Sequence, residues 1–185
     1  PDMPVYAVIG DIGASGGYYI AAAADEIYAN RASIVGSIGV RADNFGFTEA
    51  MEKLGVERRL YTAGQNKGFL DPFLPEDPRD VAHLQQLLND IHGQFIAAVR
   101  QGRGDRLQES PELYSGLVWT GEYGLELGLL DGLADVRYVA EELLEVEEVV
   151  DYSYRPPLFE QILGQVETAL VGGLLRASEA KLELH

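Results

Sequence analysis

The stretch Gly13-Ala14-Ser15-Gly16-Gly17-Tyr18-Tyr19 restricts the fold more than any other part of the chain. It follows the apolar run Val5 to Ile9, which is too short and too continuously apolar for a surface helix and predicts a buried strand of the parallel type. The chain then breaks at Gly10, turns through glycines and enters an alanine-rich helix spanning Ser15 to Glu26. Gly13, Gly16 and Gly17 permit backbone conformations closed to bulkier residues and let another chain approach closely. One serine stands at the junction. As an N-cap, Ser15 accepts a bond from a backbone N–H of the first helical turn. As a nucleophile, it has those N–H groups and the positive end of the helix beside it to meet an oxyanion.

The segments that follow continue the pattern. Ile27 to Asn30 predicts a second short strand, and Ser33 to Val40 a tight, buried strand and turn around Gly36 and Gly39. Phe45 to Leu54 has helical periodicity and stops at Gly55; Val56 to Tyr61 reads as another strand. This order argues for an α/β fold with a largely parallel sheet. Thr62 to Asp80, rich in Gly, Pro, Asn and Asp, is a long loop of the kind that tends to be functional. Val81 to Arg100 is the longest helix, with Leu84, Leu87, Leu88, Ile91 and Phe95 on one stripe. Beyond it, Leu113 to Gly132 predicts a short strand, a helix at Gly121 to Leu127 and a turn. Val136 to Leu144 reads as a helix and Val146 to Tyr152 as a last strand. Leu158 to Leu175 reads as an amphipathic helix rather than a membrane span, since Glu160, Gln161, Gln165 and Glu167 interrupt it. Residues 1–155 are therefore expected to form one domain and 156–185 a helix and tail.

Composition narrows the chemistry. With no cysteine there is neither a disulfide framework nor a thiolate nucleophile or metal site. A net charge of −16 repels nucleic-acid phosphates and anionic membrane surfaces, and no cluster of basic residues offsets it. The chain opens at Pro1 directly on a strand, so an N-terminal portion is expected to precede it.

A serine hydroxyl attacks only when a neighbouring base takes its proton. Gly13-x-Ser15-x-Gly17 matches the glycine-flanked elbow of a Ser-His-acid triad in form. Of the three histidines, however, His83 and His92 fall in the long helix and His185 ends the chain. A Ser-Lys dyad is the second reading, and it requires a lysine held neutral by burial away from carboxylates. Lys53 stands beside Glu52 and Lys181 in a polar tail, whereas Lys67 lies in the long loop among apolar neighbours without an adjacent acid. A third reading leaves Ser15 as a cap and the chain as a scaffold.

Five stretches together resemble the signal peptide peptidase A family of serine peptidases, including its half-length bacterial forms. They are Ala14-Ser15-Gly16-Gly17-Tyr18-Tyr19, Ala24 to Asn30, Gly36-Ser37-Ile38-Gly39-Val40, Tyr61-Thr62-Ala63-Gly64 with Lys67, and Trp119-Thr120-Gly121 through Gly132. The resemblance implies a crotonase or ClpP-like superhelical α/β fold in a homo-oligomer, with Ser15 as nucleophile, Lys67 as general base and Ser37 bonding the lysine amine. It implies the Gly16 N–H as an oxyanion donor, no cofactor and no metal. The implied substrates are peptides such as cleaved signal peptides, at the extracytoplasmic side of a bacterial membrane, with any membrane attachment through the preceding region. Ile38 and Val40 are expected to line the substrate pocket. Two other classes stay open: an acyl-CoA enzyme of the crotonase fold, and a non-catalytic assembly module.

Overall fold

The computed structural model describes residues 3–146 and 148–153. The chain divides into two units, Pro1–Glu145 and Val146–His185. Among the described residues of the second unit there is no helix or strand, so the strand expected at Val146 to Tyr152 does not form. The amphipathic helix expected at Leu158 to Leu175 lies outside the described residues.

The first unit is α/β, built on two small sheets. Strands β1 (Tyr6–Ile9), β3 (Glu26–Ala29) and β6 (Gly132–Leu133) run parallel in the order β1-β3-β6, with Tyr6 opposite Glu26 and Tyr28 opposite Gly132. Strands β2 (Ile12–Ala14), β4 (Ile34–Gly36) and β5 (Val118–Thr120) form the other sheet; β2 and β4 are parallel and β5 is antiparallel to β4. Only Gly10 and Asp11 separate β1 from β2. Ser33 makes that switch of sheet possible: its hydroxyl donates to the Gly10 carbonyl, and the next residue's N–H, from Ile34, donates to Asp11 at 2.9 Å. Peptide groups that leave one ladder thus find partners at once.

Helix α1 (Gly16–Ala21) follows β2, and helix α3 (Pro78–Arg103) packs on it; Tyr18, Ala21, Ala22, Phe95 and Val99 join Ile9, Ile27, Val35 and Leu129 in the core. The buried stripe of α3 differs from the expected one. Phe95, Val99 and Arg103 face inward at four-residue spacing, whereas Leu87 and Ile91 are exposed. Helix α2 (Thr48–Leu54) ends at Gly55 as expected, in the left-handed conformation. Val56 to Tyr61 is not a strand. It has no ladder partner, and Val56, Leu60 and Tyr61 are exposed. Helix α4 (Gly121–Glu126) begins at a Thr120 cap, and α5 (Val136–Tyr138) begins at an Asp135 cap and continues into a wide turn over Val139–Leu143. No helix among the described residues is long and apolar enough to cross a membrane.

One polar junction ties α1 to the rest. Arg103, 1% exposed, donates from Nε to the Gly128 carbonyl and from Nη1 to Asp131 at 2.7 Å. Asp131 also accepts from Arg106 and from the Ile27 N–H, while the buried Tyr18 hydroxyl donates to the Leu129 carbonyl at 2.8 Å. The approach is close enough that a Cβ at Gly102 would lie 1.7 Å from the Ala22 carbonyl oxygen, so the contact between α3 and the end of α1 requires glycine.

Burial alone would push the Asp131 carboxyl up, but its bonds from Arg103, the Ile27 N–H and Arg106 outweigh that and hold it below the usual carboxylate range. A carboxyl depressed in the folded state contributes stability above its unfolded pKa of about 3.9, and that stability is lost as pH falls toward the folded value. Asp131→Asn leaves the Arg103 charge buried without its counter-ion. Urea unfolding at pH 7 is expected to show a loss of about 3–5 kcal/mol, shrinking as the pH is taken below about 4. A variant as stable as the parent at pH 7 would contradict this role.

Candidate active site

The site is built at one end of the second sheet. Strands β2 and β4 pair in register with Ala14 opposite Gly36, so Ser15 and Ser37 are the next residues of two adjacent parallel strands. The two strands are laced beyond their ends, because the Ser15 N–H donates to the Gly36 carbonyl at 2.8 Å. Both serines have left-handed φ, 53° at Ser15 and 52° at Ser37, which side chains other than glycine seldom adopt. Two such residues side by side carry a conformational cost of about 1–3 kcal/mol each, a cost that clusters at functional sites.

Ser15 occupies the N-cap position of α1, but its side chain caps nothing. With φ 53° and ψ −122° the residue is exposed, and no hydrogen bond of its hydroxyl is found among the described residues. The capping role is thus not the one it takes. The first helical bond of α1 runs from the Tyr19 N–H to the Ser15 carbonyl, which leaves the N–H groups of Gly16 and Gly17 ahead of the ladder. A Cβ at Gly16 or Gly17 would meet nothing within 4 Å, so the approach to Ser15 is open on that side. Gly13 has a different reason to be glycine. A Cβ there would sit 2.6 Å from the Ile9 side chain.

Ser37 is half-buried, and its N–H donates to the Leu117 carbonyl at 2.7 Å. Ile38 is fully buried in the core, which corrects the expectation that it lines a substrate pocket. An apolar residue that points inward at a strand end is taken up by packing. Val40 borders a cavity of about 430 Å³ together with Gln85, Asn89, His92 and Ser115.

Lys67 is exposed in the loop, with its N–H bonded to the Gly64 carbonyl at 3.2 Å. No ion pair or hydrogen bond of its amine is found among the described residues, and none joins it to Ser15 or Ser37. The loop itself is fixed. Asn44 donates to the Leu70 carbonyl, Asp80 accepts the Leu70 N–H, Arg58 pairs with Asp71 at 2.6 Å, and the Phe47 N–H reaches Pro72. The backbone bond from the Phe73 N–H to the Asp71 carboxylate, with Arg58 beside it, holds that carboxyl below its usual range against the opposing effect of burial. The loop walls a cavity of about 1060 Å³ with Phe45, Leu60, Phe69, Leu70 and Leu74 in its lining and Asp80 and His83 on the α3 side.

His92, read in the sequence only as part of the long helix, is half-buried. It stands four residues after Leu88 and three before Phe95, which is the inward stripe of α3, and its Nε2 lies 3.1 Å from the Ile38 carbonyl oxygen. Helical spacing could have found it. His83, by contrast, packs edge-on against Phe69 in the loop.

The model of peptidase family S49 matches residues 1–150. Over 133 residues, 72% of this chain, the sequence is 53% identical to 18% of a Brucella abortus protein named Na(+)/H(+) antiporter NhaA, a name that describes a chain lying mostly outside the shared stretch. It is 38% identical over 131 residues (71% of this chain) to 47% of a Synechocystis protein named as a protease. It is 33% identical over 138 residues (70% of this chain) to 19% of the chloroplastic serine protease SPPA of Arabidopsis thaliana. The chain thus spans half the length, or less, of these relatives. Among solved structures it aligns over 89% of its length with 70% of a membrane-bound stomatin-specific protease in complex with a substrate peptide, at 16% identity and a TM-score of 0.41.

The left-handed conformation at Ser37 yields a direct test. Ser37→Gly relieves the strain and Ser37→Ala keeps it, so urea unfolding is expected to find the glycine variant more stable by about 1 kcal/mol. Equal stabilities, or a more stable alanine variant, would show that the backbone at 37 is unstrained.

Proposed function

Because the chain belongs to peptidase family S49, we propose that it hydrolyses peptide bonds by a Ser-Lys dyad, with Ser15 as nucleophile and Lys67 as general base. The observation that carries the reading is Ser15 itself: an exposed serine at the mouth of α1, held at positive φ, followed by the open Gly16 and Gly17 and not used as a cap. The Lys67 amine takes the Ser15 proton as Oγ bonds to the scissile carbonyl carbon. The carbonyl oxygen becomes an oxyanion within reach of the Gly16 N–H, and collapse breaks the C–N bond as the leaving amine takes the proton from Lys67. Water, giving a proton to the same amine, then attacks the Ser15 ester; the C–O bond breaks as Lys67 returns that proton to Ser15 Oγ, releasing the acid and the free hydroxyl. Ser37, at the neighbouring strand end, is suited to accept a hydrogen bond from the lysine.

The apolar lining of the cavity beside the Lys67 loop favours peptides with apolar side chains. Together with the family resemblance this supports cleaved signal peptides as substrates, met at the extracytoplasmic face of a bacterial membrane. Among the described residues no hydrogen bond joins Lys67 to Ser15, and the Lys67 side chain is exposed; a second copy is a natural source of the base and of the burial it needs, and a homo-oligomer the form in which the site is complete.

Peptide hydrolysis by the 185-residue chain tests this reading. Ser15→Ala and Lys67→Ala are each expected to lower kcat by on the order of 10⁴-fold or more. Mixing the two inactive variants separates the geometries: recovered activity means that the base comes from another copy, and none means that it comes from the same chain. A Lys67→Ala variant that keeps most of its activity would remove the dyad.

A further inference from the structure

The turn that carries Ser37 is held from several sides. The Ser37 N–H donates to the Leu117 carbonyl at 2.7 Å, the Ile38 side chain is sealed in the core, and a Cβ at Gly39 would lie 3.0 Å from the Gly116 Cα. The remaining tie comes from helix α3. His92, half-buried, places Nε2 3.1 Å from the Ile38 carbonyl oxygen. A carbonyl oxygen only accepts, so in this contact Nε2 is the donor.

We propose that His92 is a positioning residue for the Ser15 and Ser37 site, its ring N–H clamping the Ile38 peptide and thereby holding Ser37 in its left-handed conformation beside Ser15. This rests on the reading of Ser15 and Ser37 as catalytic machinery. A residue at φ 52° keeps that conformation only while its surroundings over-determine it. Among the described residues, the His92 bond is the tie on residues 37–39 that a polar side chain makes. The same ring faces the cavity of about 430 Å³ with Val40, Asn89 and Ser115, so the clamp can be reached from solvent. The ring therefore links whatever occupies that cavity to the backbone on which Ser37 rides.

Substitution separates the clamp from the packing. His92→Phe keeps a ring and removes the donor; His92→Gln restores an N–H at comparable reach. Hydrogen exchange of the Ser37 amide reads the clamp without any need for activity. It is expected to quicken roughly tenfold in His92→Phe and to return to within about threefold of the parent in His92→Gln. With a peptide substrate, kcat is expected to fall by a similar factor in His92→Phe with KM little changed, and to recover in His92→Gln. In His92→Ala, added imidazole is expected to enter the cavity and slow the Ser37 amide again. Unchanged Ser37 exchange in His92→Phe would overturn the proposal. So would a loss that His92→Gln does not repair, or one shared by core amides such as those of Val35 and Val99. A parent chain without Ser15-dependent turnover would remove the peptidase reading alone, because the exchange comparison still decides the clamp.

Discussion

The structure depends on the parallel pairing of β2 with β4. That short ladder sets Ala14 opposite Gly36, and the bond from the Ser15 N–H to the Gly36 carbonyl carries the pairing one residue past the strands. Because both chains leave the ladder at the same level, both must turn at once, and both turn through a serine at positive φ. A glycine at either position would be the comfortable choice. The strain is tolerated because the surroundings are fixed: Ile9 under Gly13, Trp119 against Gly36 and Leu117 bonded to Ser37. Chemistry at the strand ends is thus a consequence of register, since a one-residue slip would turn both hydroxyls away.

What keeps that register is remote from it. Helix α1 is only six residues long, too short to be stable by itself, and it is held by the bond from the Tyr18 hydroxyl to the Leu129 carbonyl and by the close approach of Gly102 in α3 to Ala22 just past its end. The Arg103 and Asp131 pair is buried, so its net contribution to stability is small beside an apolar alternative, while its geometry is demanding. It unites α3, β3 and the turn before β6 through one carboxylate that accepts from Arg103, Arg106 and the Ile27 N–H. The placement of α1, and with it the N–H groups next to Ser15, follows from that junction.

The elements around Ser15 were legible because their signals are local. A continuous apolar run, a glycine break and an alanine-rich stretch need no distant partner to be read, and β1, β3 and β4 fall where the sequence places them; α1, however, stops at Ala21 instead of reaching Glu26, and β2 forms where a glycine turn is expected, because it exists only by pairing with β4. Signals that depend on a partner were not legible. Val56 to Tyr61 has the composition of a strand, yet a strand exists only beside another, and none lies there. Ile38 reads as pocket lining, but a strand-end residue faces core or cavity according to what packs on it, and here the core takes it. The stripe of α3 was misplaced for the same reason: Leu87 and Ile91 fit the helical period, while the contact with α1 selects Phe95, Val99 and Arg103. Lys67 was singled out by elimination among three lysines and by resemblance, and the fixed loop around it, pinned through Leu70 and Asp71, was not foreseeable from composition.

The central claim is that Ser15 is the nucleophile, and covalent capture tests it most directly. The chain is treated with a peptidyl phosphonate that reacts only with activated serine hydroxyls, and the adduct is located by peptide mass mapping. The account predicts a single adduct on Ser15, lost in Ser15→Ala and strongly slowed in Lys67→Ala. An unmodified Ser15 alongside an adduct on another residue, or a Ser15 that reacts equally well without Lys67, would contradict it.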